Sequence, residues 1–361
     1  MNDKVTLMKG NEALAMAMIR YGADGYFGYP ITPQSEVLEK LEEEMPWETT
    51  GMVVLQAESE VAAINMVYGG AMTGKAVCTS TSSPGFSLMQ EGVSYLAASE
   101  VPALLINVQR GGPGLGTIHA SQADYFQACK GGGHGDYHMI VLAPSSVQEM
   151  ADMVALGFDL AFKYRCVSMI LADGTIGQLM EKVVLPEQRP RRTDDEIRQQ
   201  CPWAVNGRKG MRPSNVVTSL ELDDDKMEEN NWRFQACYRE IEKNETRCEL
   251  IDVEDCDSLI TAFGTTARVA MKTMELARAE GIKVGMFRPI TLWPFPEKQL
   301  REAAKNVKGI LCVELNAGQM VEDVKLAVEC KMPVEHYGRF GGNVPTPDEL
   351  LNVLKEKLIN K

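Results

Sequence analysis

The feature that most constrains this chain is a repeated alternation of short apolar runs with segments of helical periodicity. The run at 52–55 indicates a buried strand, and that at 75–79 leads into a helix over 86–98. Further strands are predicted at 102–108 and 167–171. Strands that alternate with helices in this way build a parallel sheet covered on both faces. We therefore predict an α/β fold, with a doubly wound parallel sheet in a first domain at residues 1–185.

A second, smaller α/β block is predicted over residues 255–361. Thr265 and Thr266 are expected to cap its first helix, which ends near Gly281. Its predicted strands and helices alternate, with strands near 257–263, 283–288, 309–315 and 333–337 and later helices near 296–306, 318–330 and 347–358. This pattern again indicates a compact domain.

The connection between the blocks, residues 186–254, is charged and has little apolar periodicity. We predict a long linker with a short helix or two. Four aromatic residues indicate that parts of it pack against the rest of the chain, namely Trp203, Trp232, Phe234 and Tyr238.

Composition and charge exclude several classes of protein. No run approaches the roughly 20 apolar residues needed to cross a bilayer, and residues 1–4 lack the order of a signal peptide, so a cytoplasmic location is expected. The formal net charge of −13 opposes binding to nucleic acid and to anionic membranes.

The cysteines and histidines give no sign of a metal centre. None of the 9 cysteines forms a C-x-x-C pair, and the 4 histidines lack metal-ligand spacing. Cys78 and Cys312 lie in apolar runs, which is typical of buried reduced thiols. If this protein serves redox chemistry, we expect the metal centre on another chain.

Ligands of doubly wound sheets bind outside the carboxyl ends of strands, where several polar segments of this sequence fall. Residues 28–36 place Thr32 and Ser35 near a helix start, which suits either a carboxylate site or a simple helix cap. Glu60 also stands at a helix start, where acidic side chains are ordinary partners of the helix dipole. The residues alone leave both interpretations open.

Two further segments carry hydroxyl groups and a cation. Residues 80–85 form a hydroxyl-rich turn before a helix, without the lysine and spacing of a P-loop. Arg110 directly follows a buried strand and precedes glycines, so it could clamp a substrate carboxylate through two hydrogen bonds. A solvated arginine at a strand end is the alternative.

Together these segments resemble the 2-oxoacid:ferredoxin oxidoreductase family. Residues 29–33, Tyr-Pro-Ile-Thr-Pro, are similar to the family's signature near its start, and residues 288–296 are similar to the matching stretch of its second domain. The positions between them follow the family's order: Glu60 with Ala62-Ala63, Ser82-Ser83-Pro84-Gly85, Arg110, and Gln122-Ala123-Asp124. Residues 33–36 and 130–136 look most like the 2-oxoisovalerate type.

The resemblance implies a role for each matching residue. Residues 1–185 would form a domain that binds the aminopyrimidine of thiamine diphosphate, with Glu60 on the ring nitrogen opposite the reactive amino group. Thr32 and Arg110 match positions that bind the 2-oxoacid carboxylate and keto oxygen. The other cofactor contacts implied are Pro30, Ile31 and Ser83, and Gln122 and Asp124 are possible site residues.

The resemblance also implies partners, because this sequence lacks the Gly-Asp-Gly stretch that holds the diphosphate through magnesium. Residues 172–174, Ala-Asp-Gly, are its nearest equivalent and do not match. A β-type subunit would bind the diphosphate and Mg²⁺, while γ-type and ferredoxin-like subunits would carry iron–sulfur clusters. Coenzyme A would be the co-substrate and ferredoxin the electron acceptor. Residues 255–361 would form a transketolase C-terminal type of domain, in which His336 and Glu314 are structural.

The expected reaction is oxidative decarboxylation of a 2-oxoacid to an acyl-CoA, with 2-oxoisovalerate as the preferred substrate. Candidate apolar walls for its side chain are Phe27, Ile31 and Leu115. The alternatives are 2-oxoglutarate or pyruvate in the same reaction, a non-catalytic interaction subunit, or a subunit of a non-oxidative decarboxylase. The glycines at 131–135 indicate either a mobile loop or a tight turn.

Overall fold

A computed structural model describes residues 5–208, 210 and 212–360. The signal-peptide prediction concerns residues 1–4, which lie outside the described residues. The strands are β1 (Val5–Lys9), β2 (Gly25–Gly28), β3 (Val53–Gln56), β4 (Val77–Thr81), β5 (Ala103–Gln109), β6 (Ile140–Leu142), β7 (Val167–Asp173), β8 (Met180–Val184), β9 (Cys248–Ile251), β10 (Ser258–Thr261), β11 (Val284–Pro289), β12 (Thr291–Trp293), β13 (Ile310–Glu314) and β14 (Val334–Gly338).

The helices alternate with these strands along most of the chain. They are α1 (Gly10–Tyr21), α2 (Ser35–Glu44), α3 (Pro46–Thr49), α4 (Glu60–Met72), α5 (Ser83–Ala98), α6 (Tyr125–Cys129), α7 (Val147–Tyr164), α8 (Gly174–Gln178), α9 (Asp194–Gln200), α10 (Asp224–Asn244), α11 (Gly264–Ala279), α12 (Glu297–Ala303), α13 (Met320–Ala327) and α14 (Pro347–Leu354), which continues as a π-helical turn over Lys355–Ile359.

The first domain is built on a seven-stranded sheet in the order β12-β6-β7-β5-β4-β2-β3. Its strands are parallel except β12, which pairs antiparallel with β6. Every residue of β4, β5 and β7 is buried, as expected for strands covered on both faces. Helix α1 packs on α7, and α4 packs on α5. The predicted doubly wound sheet is confirmed.

The burial predicted for the run at 52–55 is wrong. That run forms β3, which pairs only with β2 among the described strands and is therefore an edge of the sheet. Val53 is 49% exposed and Leu55 is 42% exposed. An apolar run looks the same in an edge strand and in a central one, so the error has a simple cause.

The second sheet has five strands in the order β14-β13-β10-β11-β9, parallel except at β9. Strand β9 precedes residue 255 yet belongs to this sheet, whereas β12 follows residue 255 and joins the first sheet. The chain thus crosses between the sheets on both sides of residue 255. The division into 1–185, 186–254 and 255–361 stays a prediction.

The connection is more ordered than predicted. Helix α10 spans 21 residues, longer than the short helices expected, and buries only Tyr238 and Ile241. Tyr238 packs edge-on against Trp293, with ring centroids 5.7 Å apart, and Arg165 stacks on Trp203 at 4.7 Å. Phe234 also packs against the core. Trp232 does not show the predicted packing, because it is 60% exposed.

Thr265 and Thr266 do not cap α11, and this prediction is wrong. The N-cap residue of α11 is Phe263, whose side chain makes no capping hydrogen bond. The Thr265 hydroxyl and backbone N–H instead donate to Asp173 of the first domain, at 2.5 and 2.8 Å. The Thr266 hydroxyl lies 2.8 Å from the Phe263 carbonyl oxygen. Both threonines are buried close to the junction of the two domains.

Membrane-spanning helices were sought among the described residues, and none is both long and apolar enough to cross a bilayer.

Candidate active site

The Glu60 carboxyl lies in a tightly packed corner at the start of α4. The Ser59 hydroxyl caps this helix by accepting the Ala62 N–H at 3.2 Å, which places Glu60 at the first helical residue. Glu60 is only 6% exposed, and its carboxyl makes no hydrogen bond or ion pair within the described part of the chain. A Cβ added to Gly85 would lie 2.6 Å from Glu60 Oε1. Any larger residue at position 85 would therefore displace the Glu60 side chain.

Unpartnered hydroxyl groups lie near this carboxyl. Among the described atoms, Thr81 Oγ1 at the end of β4 and Ser82 Oγ at the N-cap of α5 are buried without a hydrogen-bond partner. The added Cβ on Gly85 would meet Thr81 Oγ1 at 2.1 Å, so Thr81 and Glu60 border the same glycine. Buried polar groups are normally hydrogen-bonded, and each exception calls for an explanation such as a ligand. The unpaired polar groups of Glu60, Thr81 and Ser82 are suited to a ligand with a polar ring, which could hydrogen-bond to them.

Arg110 follows β5 and is 9% exposed. Its Nη1 donates to the Thr32 carbonyl oxygen at 2.8 Å, and its Nη2 donates to the Leu115 carbonyl oxygen at 3.0 Å. Its Nε is buried and has no partner among the described residues. The structure therefore brings Arg110 and Thr32 together. The guanidinium keeps one buried donor for a further acceptor.

Thr32 lies in the turn between β2 and α2. Its side chain is exposed, while Pro30 and Ile31 beside it are partly buried. Thr32 lines a cavity of about 550 Å³ together with residues of the loop after β5, including Ile118 and His119. The signature turn and that loop thus face one space.

Ser83 links Arg110 to Asp124. Its hydroxyl lies 2.6 Å from Asp124 Oδ2 and accepts the Arg110 N–H at 3.0 Å. Asn107 Nδ2 also donates to Asp124 Oδ2, at 2.9 Å. Burial raises the pKa of Asp124, although the hydrogen bonds from Ser83 and Asn107 oppose this shift.

Gln122 lies elsewhere, although it is two residues from Asp124. Its Nε2 donates to the Phe263 carbonyl oxygen at 2.7 Å, and its Oε1 accepts the Leu315 N–H at 3.0 Å. Both contacts are with the second domain. The structure therefore places Gln122 at the junction of the domains and Asp124 beside Ser83.

The predicted walls of the substrate pocket are spread apart. The Leu115 side chain is 81% exposed, and its carbonyl group lies against Arg110. Ile31 stands next to Thr32 in the signature turn. The Phe27 ring lies close to α4, because a Cβ added to Gly70 would meet it at 3.3 Å. Phe27 thus packs between strand and helix.

Sequence reasoning missed Asn107 and Gln109. Asn107 donates to Asp124, and Gln109 Oε1 accepts the Asp124 N–H at 3.1 Å. Both lie in β5, in which every residue is buried. Two amide side chains within an apolar run were the signal that could have identified them, because buried amides need partners.

Other titratable residues named in the sequence analysis make contacts that stabilise the fold. The buried Glu314 carboxylate accepts the N–H groups of Met320 and Val321 at the start of α13, at 2.8 and 3.1 Å. His336 Nε2 lies 3.8 Å from Glu314 Oε1. Asp173 accepts N–H groups of α8 in addition to those from Thr265. No cluster of three or more potential metal ligands occurs among the described residues.

Two family descriptions and several known proteins match this chain. Residues 16–245 match the family described as pyruvate flavodoxin/ferredoxin oxidoreductase, thiamine diphosphate-binding, and residues 256–350 match pyruvate:ferredoxin oxidoreductase core domain II. The chain is 47% identical to the ketoisovalerate oxidoreductase subunit VorB of Methanothermobacter marburgensis, over 97% of each chain. It is 35% identical to the 2-oxoglutarate synthase subunit KorA of the same organism, over 96% of this chain and 97% of that one.

Two solved structures are also similar. The 2-oxoglutarate:ferredoxin oxidoreductase from Magnetococcus marinus superposes with a TM-score of 0.84 at 28% identity, covering 98% of this chain. The chain spans 65% of the length of that larger chain. A split-gene transketolase shares the fold alone, with a TM-score of 0.60 at 13% identity and coverage of 97% and 98%. These similarities confirm the predicted fold class and the role as an oxidoreductase subunit, and the chain belongs to the 2-oxoacid:ferredoxin oxidoreductase family.

Proposed function

We propose that this chain holds the aminopyrimidine half of thiamine diphosphate in a cytoplasmic, heteromeric enzyme that converts 2-oxoisovalerate to an acyl-CoA and reduces ferredoxin. The observation that carries the proposal is the Glu60 carboxyl, buried and without a partner in the described chain. Because Glu60 has no partner to give up, its carboxyl can form a hydrogen bond to a ligand without first breaking one within the described chain. A ligand nitrogen that shares a proton with Glu60 would supply the missing partner.

Glu60 would hold the ring nitrogen of the aminopyrimidine and share a proton with it. When bound, thiamine diphosphate supplies a nucleophilic carbon that adds to the keto group of the substrate. A carboxyl group serves proton transfer best where little water surrounds it, and the 6% exposure of Glu60 meets that condition. Thr81 and Ser82 offer unpaired hydroxyl groups to the same ring, beside Ser83. Pro30 and Ile31 would contact the cofactor from the signature turn.

Arg110 would bind the substrate carboxylate. Its guanidinium is fixed by the carbonyl groups of Thr32 and Leu115, and its buried Nε remains free among the described residues. A charge-assisted hydrogen bond in such a setting is roughly twice as strong as a neutral one. The exposed Thr32 side chain, in the same turn, would contact the keto oxygen.

The substrate is inferred from the identity to relatives and from the apolar side chains near Arg110. Identity to VorB is 47% and identity to KorA is 35%, each over nearly the whole chain. The loop beside Arg110 carries Leu115 and Ile118, which are 81% and 55% exposed. Apolar side chains suit a branched aliphatic substrate, whereas the γ-carboxylate of 2-oxoglutarate would require a further cation.

Partner subunits would complete the site. The helix that begins at Glu60 and two elements next to it in the chain or in space carry exposed apolar side chains: Val61 and Met66 of α4, Val53 and Leu55 of the preceding strand β3, and Leu88 of α5, which packs on α4. Exposed apolar groups that cluster on one face mark interaction surfaces. We assign this face to a β-type subunit that binds the diphosphate and Mg²⁺. Clusters on γ-type and ferredoxin-like subunits would then carry electrons to ferredoxin.

The proposal is tested by assaying the complex purified with its partner subunits. Thiamine diphosphate, Mg²⁺, coenzyme A and a viologen dye are supplied, with 2-oxoisovalerate, 2-oxoglutarate and pyruvate in parallel. We expect coenzyme A-dependent dye reduction with the highest kcat/KM for 2-oxoisovalerate. A higher kcat/KM for another acid would overturn the substrate assignment. Aldehyde release without coenzyme A or dye would identify a non-oxidative decarboxylase, and no reaction with any acid would contradict the catalytic role.

A further inference from the structure

The segment that carries Asp124 is held by the second domain. The Tyr125 hydroxyl donates to Asp323 Oδ2 at 2.6 Å, and Gln319 Nε2 donates to the Ala123 carbonyl oxygen at 2.8 Å. Gln122 is fixed in the same domain by the contacts described above. Residues on both sides of Asp124 are therefore anchored, so its carboxylate has little freedom to shift.

The Asp124 side chain contacts residues of the first domain. Its Oδ2 accepts hydrogen bonds from the Ser83 hydroxyl at 2.6 Å and from Asn107 Nδ2 at 2.9 Å. The Ser83 hydroxyl has one proton. Its oxygen lies 2.6 Å from Asp124 Oδ2 and 3.2 Å from the Arg110 carbonyl oxygen, so the shorter, charge-assisted contact takes the proton while a lone pair accepts the Arg110 N–H at 3.0 Å. The carboxylate thereby sets the orientation of the Ser83 hydroxyl toward Arg110.

We propose that Asp124 is a positioning residue that acts through Ser83 to fix the backbone of Arg110, and that the second domain fixes Asp124 in turn. This inference rests on the proposed binding of the substrate carboxylate by Arg110. Asp124 accepts two hydrogen bonds within the protein and adjoins Arg110 through Ser83, so it acts on the substrate only indirectly. Small displacements of an orienting group are costly in catalysis, because binding geometry must match the reacting atoms.

The test compares four variants of the chain in the assembled complex: Asp124→Ala, Asp124→Asn, Ser83→Ala and Ser94→Ala. Asp124→Ala and Ser83→Ala should raise the KM for 2-oxoisovalerate about tenfold or more, with kcat changed less than about threefold. Asp124→Asn should recover most of the loss, because the amide oxygen can accept the same two hydrogen bonds. Ser94→Ala is the matched control, since Ser94 is also a buried serine of α5 and donates to the Glu91 carbonyl oxygen.

A second measurement does not depend on turnover. Hydrogen exchange at the Arg110 amide of the full chain should be faster in Asp124→Ala and Ser83→Ala than in the wild type and in Ser94→Ala. Unchanged exchange in Ser83→Ala, or faster exchange with unchanged KM, would overturn the positioning role. An equal loss of kcat in Asp124→Asn and Asp124→Ala would instead identify Asp124 as a catalytic residue. If the wild-type complex oxidises no 2-oxoacid, the proposed function fails, while the exchange data still decide whether Asp124 controls Arg110.

Discussion

Glu60 and Arg110 are brought to one region by a continuous series of short contacts. Glu60 borders Gly85 at the start of α5, Ser83 in the same turn accepts the Arg110 N–H, and the Arg110 guanidinium donates to Thr32. Each of these residues follows the carboxyl end of a parallel strand, where the fold gathers loops and helix starts. The arrangement brings residues that are distant in sequence close together, as the proposed ligand site requires.

The sequence predicts these residues as site residues because their motifs are specific, but it does not predict their contacts. Gln122 and Asp124 look equivalent in the sequence, yet their side chains contact the second domain and Ser83 respectively. Which way a side chain points in a loop depends on the neighbouring domain. Asn107 and Gln109 were missed for a related reason, because their partners are distant along the chain.

The thiols provide a prediction at the scale of single residues. Burial raises the pKa of the Cys78 and Cys312 thiols, so a smaller fraction of each is the reactive thiolate at pH 8. Cys330 is exposed. In the native chain, alkylation followed by mass spectrometry should therefore label Cys330 first. Labelling of Cys78 as fast as Cys330 would contradict the buried placement of β4, and denatured protein provides the control in which all thiols react.

At the scale of elements, the central strands were predicted accurately from the sequence, and the surface elements were not. Strands β5 and β7 lie within two residues of their predicted bounds, because buried parallel strands are continuous apolar runs. Helix α10 was underestimated, since a helix that buries only Tyr238 and Ile241 shows little apolar periodicity. Strand β3 was predicted, but its exposure was not, because a single apolar run does not show whether a strand lies at the edge of a sheet.

The exposed apolar face of α4 gives a prediction about assembly. Val61→Lys adds a charge to a side chain that is 47% exposed, so the isolated chain should remain folded. Burying that charge under a partner subunit would be costly, so the complex should fail to form when the subunits are co-expressed and purified by size exclusion. Leu222→Lys, at a residue 84% exposed in the connection, is the control that should still assemble. Normal assembly of Val61→Lys would show that the partner binds elsewhere.

At the scale of the whole molecule, buried and partly buried polar contacts join the two domains. Gln122 pairs with Phe263 and Leu315, Asp173 pairs with Thr265, and Arg288 Nη2 donates to Glu149 Oε1 at 2.6 Å. The exchanged strands β9 and β12 add to this connection. The sequence predicted two domains but gave no sign of how tightly they are joined, because these contacts pair residues that lie 92 or more positions apart.

Removing one of these contacts should weaken the molecule measurably. Gln122→Ala leaves the buried Leu315 N–H without its partner, which should lower the free energy of unfolding by about 2 kcal/mol. Urea denaturation followed by fluorescence measures this change. The control is Gln127→Ala, which removes an exposed hydrogen bond to Ser87 and should cost less than about 0.5 kcal/mol. Equal stability of the two variants would contradict the role given to Gln122.

The central claim is that Glu60 serves the cofactor, and the most direct measurement is the activity of Glu60→Gln in the assembled complex. Glutamine keeps the size of the side chain but cannot share a proton as a carboxyl does, so coenzyme A-dependent viologen reduction should fall at least about a hundredfold. Glu48→Gln, an exposed residue of α3, is the matched control and should keep full activity. Retention of wild-type turnover by Glu60→Gln, in a complex with intact clusters, would contradict the account.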